Sequence, residues 1–223
     1  DKYIVIAPTM PGGEYYSSTK RGFRELVHLQ ALDWAARHLP VDDDRVFVFG
    51  NSMGGHCAWN LATMFPGRFA AGVSTAGIPV YEGSPFTVNL YLENLSNLPF
   101  WSIWGELDAP APPVQGQMQM NRAAKARLAE LNNTKYRGTE LPGVGHDGCF
   151  PQPHEFAAFL AAAKRDRMPA SFVHVFHLQR HARCYYMEAI SLAARPVRMD
   201  VLPFALPGKD EQEQFRAKVE EYF

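Results

Sequence analysis

Short apolar runs alternate with helical patterns along most of this 223-residue chain, and that alternation narrows the possible folds more than any other feature. Runs typical of strands lie at residues 3–7, 45–50, 71–76, 100–105 and 135–141. Helical spacing lies at residues 23–39, 54–64, 120–131 and 154–164. This succession predicts an α/β fold with an open, mostly parallel sheet and helices on both faces. Sheets of this kind carry their functional residues in loops that follow the carboxyl ends of the strands.

The pattern changes beyond residue 167. Apolar residues at 172–176 and 184–187 predict two strands joined as a hairpin. In residues 210–223, Phe215, Val219 and Phe223 are spaced by four, which predicts an amphipathic terminal helix. We therefore expect a catalytic core at residues 1–167 and a small α+β appendage at residues 168–223.

Composition and charge exclude several classes of partner. With 22 Lys and Arg against 23 Asp and Glu, the net charge is -1, so no field would attract nucleic acid or an anionic membrane. No apolar run approaches the roughly 18 residues that a membrane span requires. Cys57, Cys149 and Cys184 are too widely spaced for a metal-binding knuckle. We expect buried thiols, with a disulfide as the alternative, and no metal or cofactor.

The residues Gly50-Asn51-Ser52-Met53-Gly54 match the pattern G-x-S-x-G. The match follows a predicted strand directly and opens a predicted helix, which is the setting of a nucleophile elbow. A tight turn of this kind exposes the serine oxygen, and small residues at both ends let strand and helix approach closely. The backbone amide of Met53, at the helix start, is predicted as a donor to a developing oxyanion.

At this point the sequence resembles the α/β-hydrolase superfamily, whose members carry nucleophile, acid and base in the chain order Ser, Asp or Glu, His. The strand ending at Trp104-Gly105 is followed by Glu106-Leu107-Asp108, similar to the family's acid turn. Gly143-Val144-Gly145-His146 is similar to its histidine loop. The resemblance implies that Ser52 is the nucleophile, His146 the base and Asp108 the acid. Glu106, two residues earlier, is the competing candidate for the acid.

The resemblance also implies which part of the fold is not in this sequence. Residues 3–7 resemble the fourth strand of the family's sheet, so the first three strands are expected in a longer protein. The second oxyanion donor of the family follows the third strand, and that segment would supply it. If residues 3–7 are instead the third strand, Gly12 and Gly13 take that role.

The function that this resemblance implies is hydrolysis of carboxylic esters through a Ser-His-Asp acyl-enzyme mechanism, as in the esterase and prolyl-oligopeptidase-like branch (EC 3.1.1 class). A serine peptidase and a non-catalytic, hydrolase-like binding module remain alternatives. The expected partner is a small-molecule or acyl-bearing substrate. Tyr15, Tyr16 and Tyr81 fall in loops after strand ends and are candidates to line its pocket.

Overall fold

The computed structural model describes residues 3–8, 24–79, 91–108, 117–176, 178–190, 197–204 and 214–221. A four-stranded parallel sheet forms its centre. The strands are β1 (Phe47–Asn51), β2 (Ala71–Thr75), β3 (Phe100–Gly105) and β4 (Tyr136–Leu141), and they lie in that order. Because the pairing is parallel throughout, all four carboxyl ends meet at one edge. The predicted parallel sheet is confirmed.

Helices cover both faces of this sheet, as predicted. They are α1 (Arg24–His38), α2 (Met53–Met64), α3 (Gln117–Glu130) and α4 (Pro153–Ala162). On one face a large apolar cluster joins residues of α1, α2 and α3 with β3. On the other face a smaller cluster joins α4 with residues of β2 and β3.

The alternation of side chains along β3 explains why large apolar residues lie on both of its faces. Phe100 belongs to the larger cluster, whereas Trp101 and Ile103 belong to the cluster under α4. Both faces are covered, so a strand in this position has no polar side. Trp101 and Trp104 are both buried in the core.

A second, antiparallel sheet forms the end of the chain. Its strands are β5 (Phe172–Phe176), β8 (Val197–Phe204) and β9 (Gln214–Glu221), in the order β5-β8-β9. Two short strands, β6 (Arg183–Cys184) and β7 (Met187–Glu188), pair only with each other in the described part of the chain. The predicted hairpin is wrong, because β5 takes β8 as its partner. The predicted terminal helix is also wrong, because residues 214–221 pair along β8 as a strand.

The second sheet is attached to the first through Asn94, which lies in a 3₁₀ helix (Leu92–Asn97). The buried Asn94 amide donates to the carbonyl oxygens of Thr63 and Val175, both at 2.8 Å. Its own oxygen accepts the Val175 N–H. Val175 also belongs to the larger apolar cluster of the parallel sheet. The division of the chain at residue 167 stays a prediction.

Residues 3–7 are not a buried strand, and that prediction is wrong. Tyr3, Ile4, Val5 and Ile6 are 40 to 87% exposed. None of the described strands pairs with this segment. The Tyr3 ring contacts the ring of Phe47 on β1. A parallel strand needs such pairing and cover on both faces. Among the described helices none is long and apolar enough to cross a membrane.

Candidate active site

The turn between β1 and α2 carries Ser52 in a strained conformation. Its φ is 53° and its ψ is -115°, a region that residues other than glycine rarely occupy. The turn is held in place because the Ser52 N–H donates to the Thr75 carbonyl on β2 at 2.8 Å.

The close approach of β1 and α2 depends on Gly50. A Cβ at Gly50 would lie 2.0 Å from the carbonyl oxygen of Gly54, whereas a Cβ at Gly54 would meet no atom of the described residues within 4 Å. The expectation that small side chains are needed at both positions therefore holds for position 50. At position 54 the described residues leave room for a side chain, so the turn does not require glycine there.

Ser52, His146 and Asp108 lie in one chain of hydrogen bonds at the carboxyl edge of the parallel sheet. Ser52 Oγ is 2.7 Å from His146 Nε2. His146 Nδ1 is 3.0 and 3.1 Å from the two carboxylate oxygens of Asp108. Because a carboxylate accepts hydrogen bonds, Nδ1 carries the proton, and Nε2 of the neutral ring accepts from the serine hydroxyl. The side chain of Asp108 is 5% exposed and that of His146 is 40% exposed.

Glu106, the competing candidate for the acid, lies in the same turn but contacts a different group. Its Oε2 accepts the backbone N–H of Gly143 at 2.9 Å. Asp147, the neighbour of His146, is exposed. Sequence reasoning missed the contact between Glu106 and Gly143, because it joins residues 37 positions apart.

The first turn of α2 adds a second histidine near the site. His56 Nδ1 accepts the Ile78 N–H at 2.9 Å, which fixes the start of the loop after β2. Burial lowers the pKa of His56, and the hydrogen bond with the Ile78 backbone opposes part of this shift. The His56 side chain is half-buried beside the site.

The remaining predicted site residues fall into two groups. Met53 is the first residue of α2, so its amide lies at the amino end of the helix beside Ser52. Tyr15, Tyr16, Tyr81 and the pair Gly12 and Gly13 lie outside the described residues.

The three cysteines are free and buried, so the disulfide alternative is wrong. Cys149 Sγ donates to the Gly145 carbonyl at 3.0 Å, just before His146. Burial raises the pKa of this thiol to about 11. The thiol therefore stays protonated at neutral pH and donates this hydrogen bond. In the described part of the chain no group of three or more His, Cys, Asp or Glu residues is arranged to hold a metal ion.

This arrangement is capable of activating an alcohol as a nucleophile. A serine hydroxyl reacts poorly at neutral pH, and an imidazole within hydrogen-bond reach accepts its proton as it attacks. A buried carboxylate on the opposite nitrogen orients that imidazole and stabilises its charged form.

Comparisons with solved structures find the same fold. A thermostable esterase has a TM-score of 0.51 and is 24% identical, over 63% of this chain and 36% of its own length. A protein described as "a putative dipeptidyl aminopeptidase IV", from Bacteroides ovatus, has a TM-score of 0.50 and is 17% identical, over 68% and 24% of the two chains. The enterobactin esterase of Shigella flexneri has a TM-score of 0.48 and is 20% identical, over 64% and 38%. The fold is that of the α/β-hydrolases, and this chain spans about a third of the thermostable esterase's length.

Comparison with curated protein sequences found no match. The model of the Esterase family, described as "Putative esterase", matches residues 13–187, which include Ser52, Asp108 and His146. Since this match covers well over half of the sequence, the chain belongs to the Esterase family.

Proposed function

We propose that this chain hydrolyses carboxylic esters through an acyl-enzyme formed on Ser52. The observation that carries the proposal is the continuous hydrogen-bonded chain from Ser52 Oγ through both nitrogens of His146 to the Asp108 carboxylate, with distances of 2.7 and 3.0 Å. Membership of the Esterase family supports the same reaction type. The carboxylesterase class is part of this proposal.

In the first half of the reaction Ser52 Oγ attacks the ester carbonyl carbon while His146 Nε2 takes the hydroxyl proton. The carbonyl oxygen becomes an oxyanion, and the Met53 N–H at the start of α2 is the donor that we assign to it. The intermediate collapses, the bond to the alcohol breaks, and His146 returns the proton to the departing alcohol oxygen. In the second half a water molecule loses its proton to His146 and attacks the acyl carbon, which releases the acid and restores Ser52.

Asp108 keeps its charge throughout this cycle. The proton of the neutral His146 ring lies on Nδ1, where it is hydrogen-bonded to the carboxylate. Nε2 is therefore unprotonated and accepts the hydrogen bond from Ser52. When His146 becomes positively charged, the buried carboxylate at 3.0 Å stabilises it. The acid therefore both orients the base and lowers the barrier to proton transfer.

Two measurements test the proposal. A fluorophosphonate probe should label Ser52 in the folded chain and leave the Ser52→Ala variant unlabelled. The wild-type chain should hydrolyse p-nitrophenyl acetate, and Ser52→Ala should reduce this to the rate of a protein-free control. The proposal fails if both proteins hydrolyse the ester equally.

The same measurements separate the alternatives. A serine peptidase would label equally well but would cleave peptide p-nitroanilides more efficiently than esters. A non-catalytic binding module would remain folded, would not react with the probe, and would hydrolyse neither substrate.

A further inference from the structure

The acid turn (residues 105–108) and the histidine loop (residues 143–149) are bonded directly to each other. In the backbone, the Glu106 N–H donates to the Leu141 carbonyl at 3.0 Å, and the Leu107 N–H donates to the Val144 carbonyl at 2.8 Å. These two bonds bring the end of β4 against the end of β3. Together with the bond from the Val144 N–H to the Leu141 carbonyl at 3.4 Å, they account for the proximity of the two segments, and one more group contacts the start of the histidine loop.

That group is the side chain of Glu106, whose Oε2 accepts the Gly143 N–H at 2.9 Å. Gly143 has a φ of +69°, a left-handed conformation that sets the direction in which the loop leaves β4. A hydrogen bond from a backbone N–H to a carboxylate is stronger than one between neutral groups. We propose that Glu106 is a positioning residue, which holds the histidine loop so that His146 lies within proton-transfer distance of Ser52.

The connection between Glu106 and His146 is short. Three peptide units separate Gly143 from His146, and the Asp108 that receives His146 Nδ1 lies two residues after Glu106. The turn therefore holds the loop at its start through Glu106, at Val144 through the Leu107 backbone, and at the imidazole through Asp108. Truncating Glu106 removes the contact at the start of the loop and leaves the Leu107 backbone and Asp108 to hold the loop against the turn.

The size of the effect is limited by the bonds that remain. A misplacement of about 1 Å in an active site costs about 100-fold in rate. After truncation of Glu106, the bond between Leu107 and Val144 and the bond between Cys149 and Gly145 still hold the loop. We therefore expect kcat to fall by about 5- to 20-fold, with KM nearly unchanged, because Glu106 acts on the base and not on substrate binding.

Three variants test this proposal, which rests on the proposed esterase function. Glu106→Ala removes both the negative charge and the hydrogen-bond acceptor. Glu106→Gln removes the charge but keeps an oxygen that accepts the Gly143 N–H. Asp147→Ala removes one negative charge from an exposed position next to His146. Because Glu106 and Asp147 are both exposed, neither truncation leaves a cavity, and thermal unfolding of each variant verifies that it is folded.

The readouts are kcat and KM for p-nitrophenyl acetate and the rate of fluorophosphonate labelling of Ser52. In Glu106→Ala, kcat and the labelling rate should both fall, with KM within twofold of wild type. Glu106→Gln should recover at least half of the lost kcat, which a charge effect would not permit, and Asp147→Ala should stay within twofold of wild type.

The proposal is overturned if Glu106→Ala keeps kcat within twofold of wild type, or if Glu106→Gln is as impaired as Glu106→Ala. An equal loss in Asp147→Ala overturns it as well, since the loss then comes from charge alone. A wild-type chain that hydrolyses no ester instead contradicts the proposed function. That outcome is seen before any Glu106 variant is compared, so the two failures are distinguishable.

Discussion

Replacing Asp108 by Asn should almost abolish turnover while preserving the fold. Both carboxylate oxygens lie within 3.1 Å of His146 Nδ1, and the side chain is 5% exposed, so solvent cannot substitute for it. An asparagine amide in the same place donates to Nδ1. The proton then moves to Nε2, where the ring no longer accepts from Ser52.

The size of the loss follows from this change of tautomer. Replacing the acid of a Ser-His-Asp triad by Asn lowers kcat by about 10⁴-fold. At about 1.36 kcal/mol for each factor of ten, this is about 5.4 kcal/mol of transition-state stabilisation. Initial rates of p-nitrophenyl acetate hydrolysis, corrected for the Ser52→Ala background, measure it.

Asp147→Asn is the matched control, because it makes the same replacement at an exposed carboxylate beside the base. It should change kcat by less than twofold. A folded Asp108→Asn variant with kcat within tenfold of wild type would refute the assignment of Asp108 as the acid.

Three further predictions concern stability, and chemical denaturation measures each. Gly50→Ala should lower the free energy of unfolding by about 3 kcal/mol or more, because its Cβ would overlap the Gly54 carbonyl; Gly54→Ala, with open space, should leave it unchanged or raise it slightly. Asn94→Ala should cost about 2 to 4 kcal/mol, because Val175 loses buried partners for both its N–H and its carbonyl. Burial lowers the pKa of His174 from 6.5 to about 4. Between pH 6.5 and about 4, this histidine is therefore protonated in the unfolded chain and neutral in the folded chain. Stability should therefore fall by about 3 kcal/mol as pH drops from 6.5 to 4, and His174→Leu should lose this part of the pH dependence.

The centre of the parallel sheet was predictable because β2 and β3 are buried along their whole length. Four of the six residues of β3 are large and apolar, the exceptions being Ser102 and the final Gly105, and such a short run ending in glycine is typical of a buried strand. The turn at Ser52 was predictable for a similar reason. A G-x-S-x-G pattern between an apolar run and a helix combines a local backbone requirement with its expected setting.

The end of the chain was not predictable, because its spacing fits two periods. Phe215, Val219 and Phe223 are four apart, but Phe215, Ala217 and Val219 are also two apart, which fits a strand. The pairing with β8 decides between them, and that is a tertiary contact which no local pattern encodes. Residues 3–7 show the converse, since strand-like composition does not make a strand where no described neighbour pairs with it.

The contacts of the site divide it into two parts that are each held by separate bonds. The Ser52 turn is fixed to β2 through the Thr75 carbonyl. The acid turn and the histidine loop are fixed to each other through the backbone, Glu106 and Asp108. The hydrogen bond from Ser52 to His146 joins the two parts, and it is the bond along which the proton moves in the proposed reaction.

This division explains why small displacements should affect rate more than stability. A bond that breaks and re-forms in every cycle adds little to the stability of the fold, but its length sets the ease of proton transfer. Glu106 should therefore act on the rate through the distance between Ser52 Oγ and His146 Nε2, whereas Asp108 acts through the tautomer and charge of His146. Variants of Glu106 and Asp108 should accordingly differ from one another in kcat, whereas their free energies of unfolding should be similar.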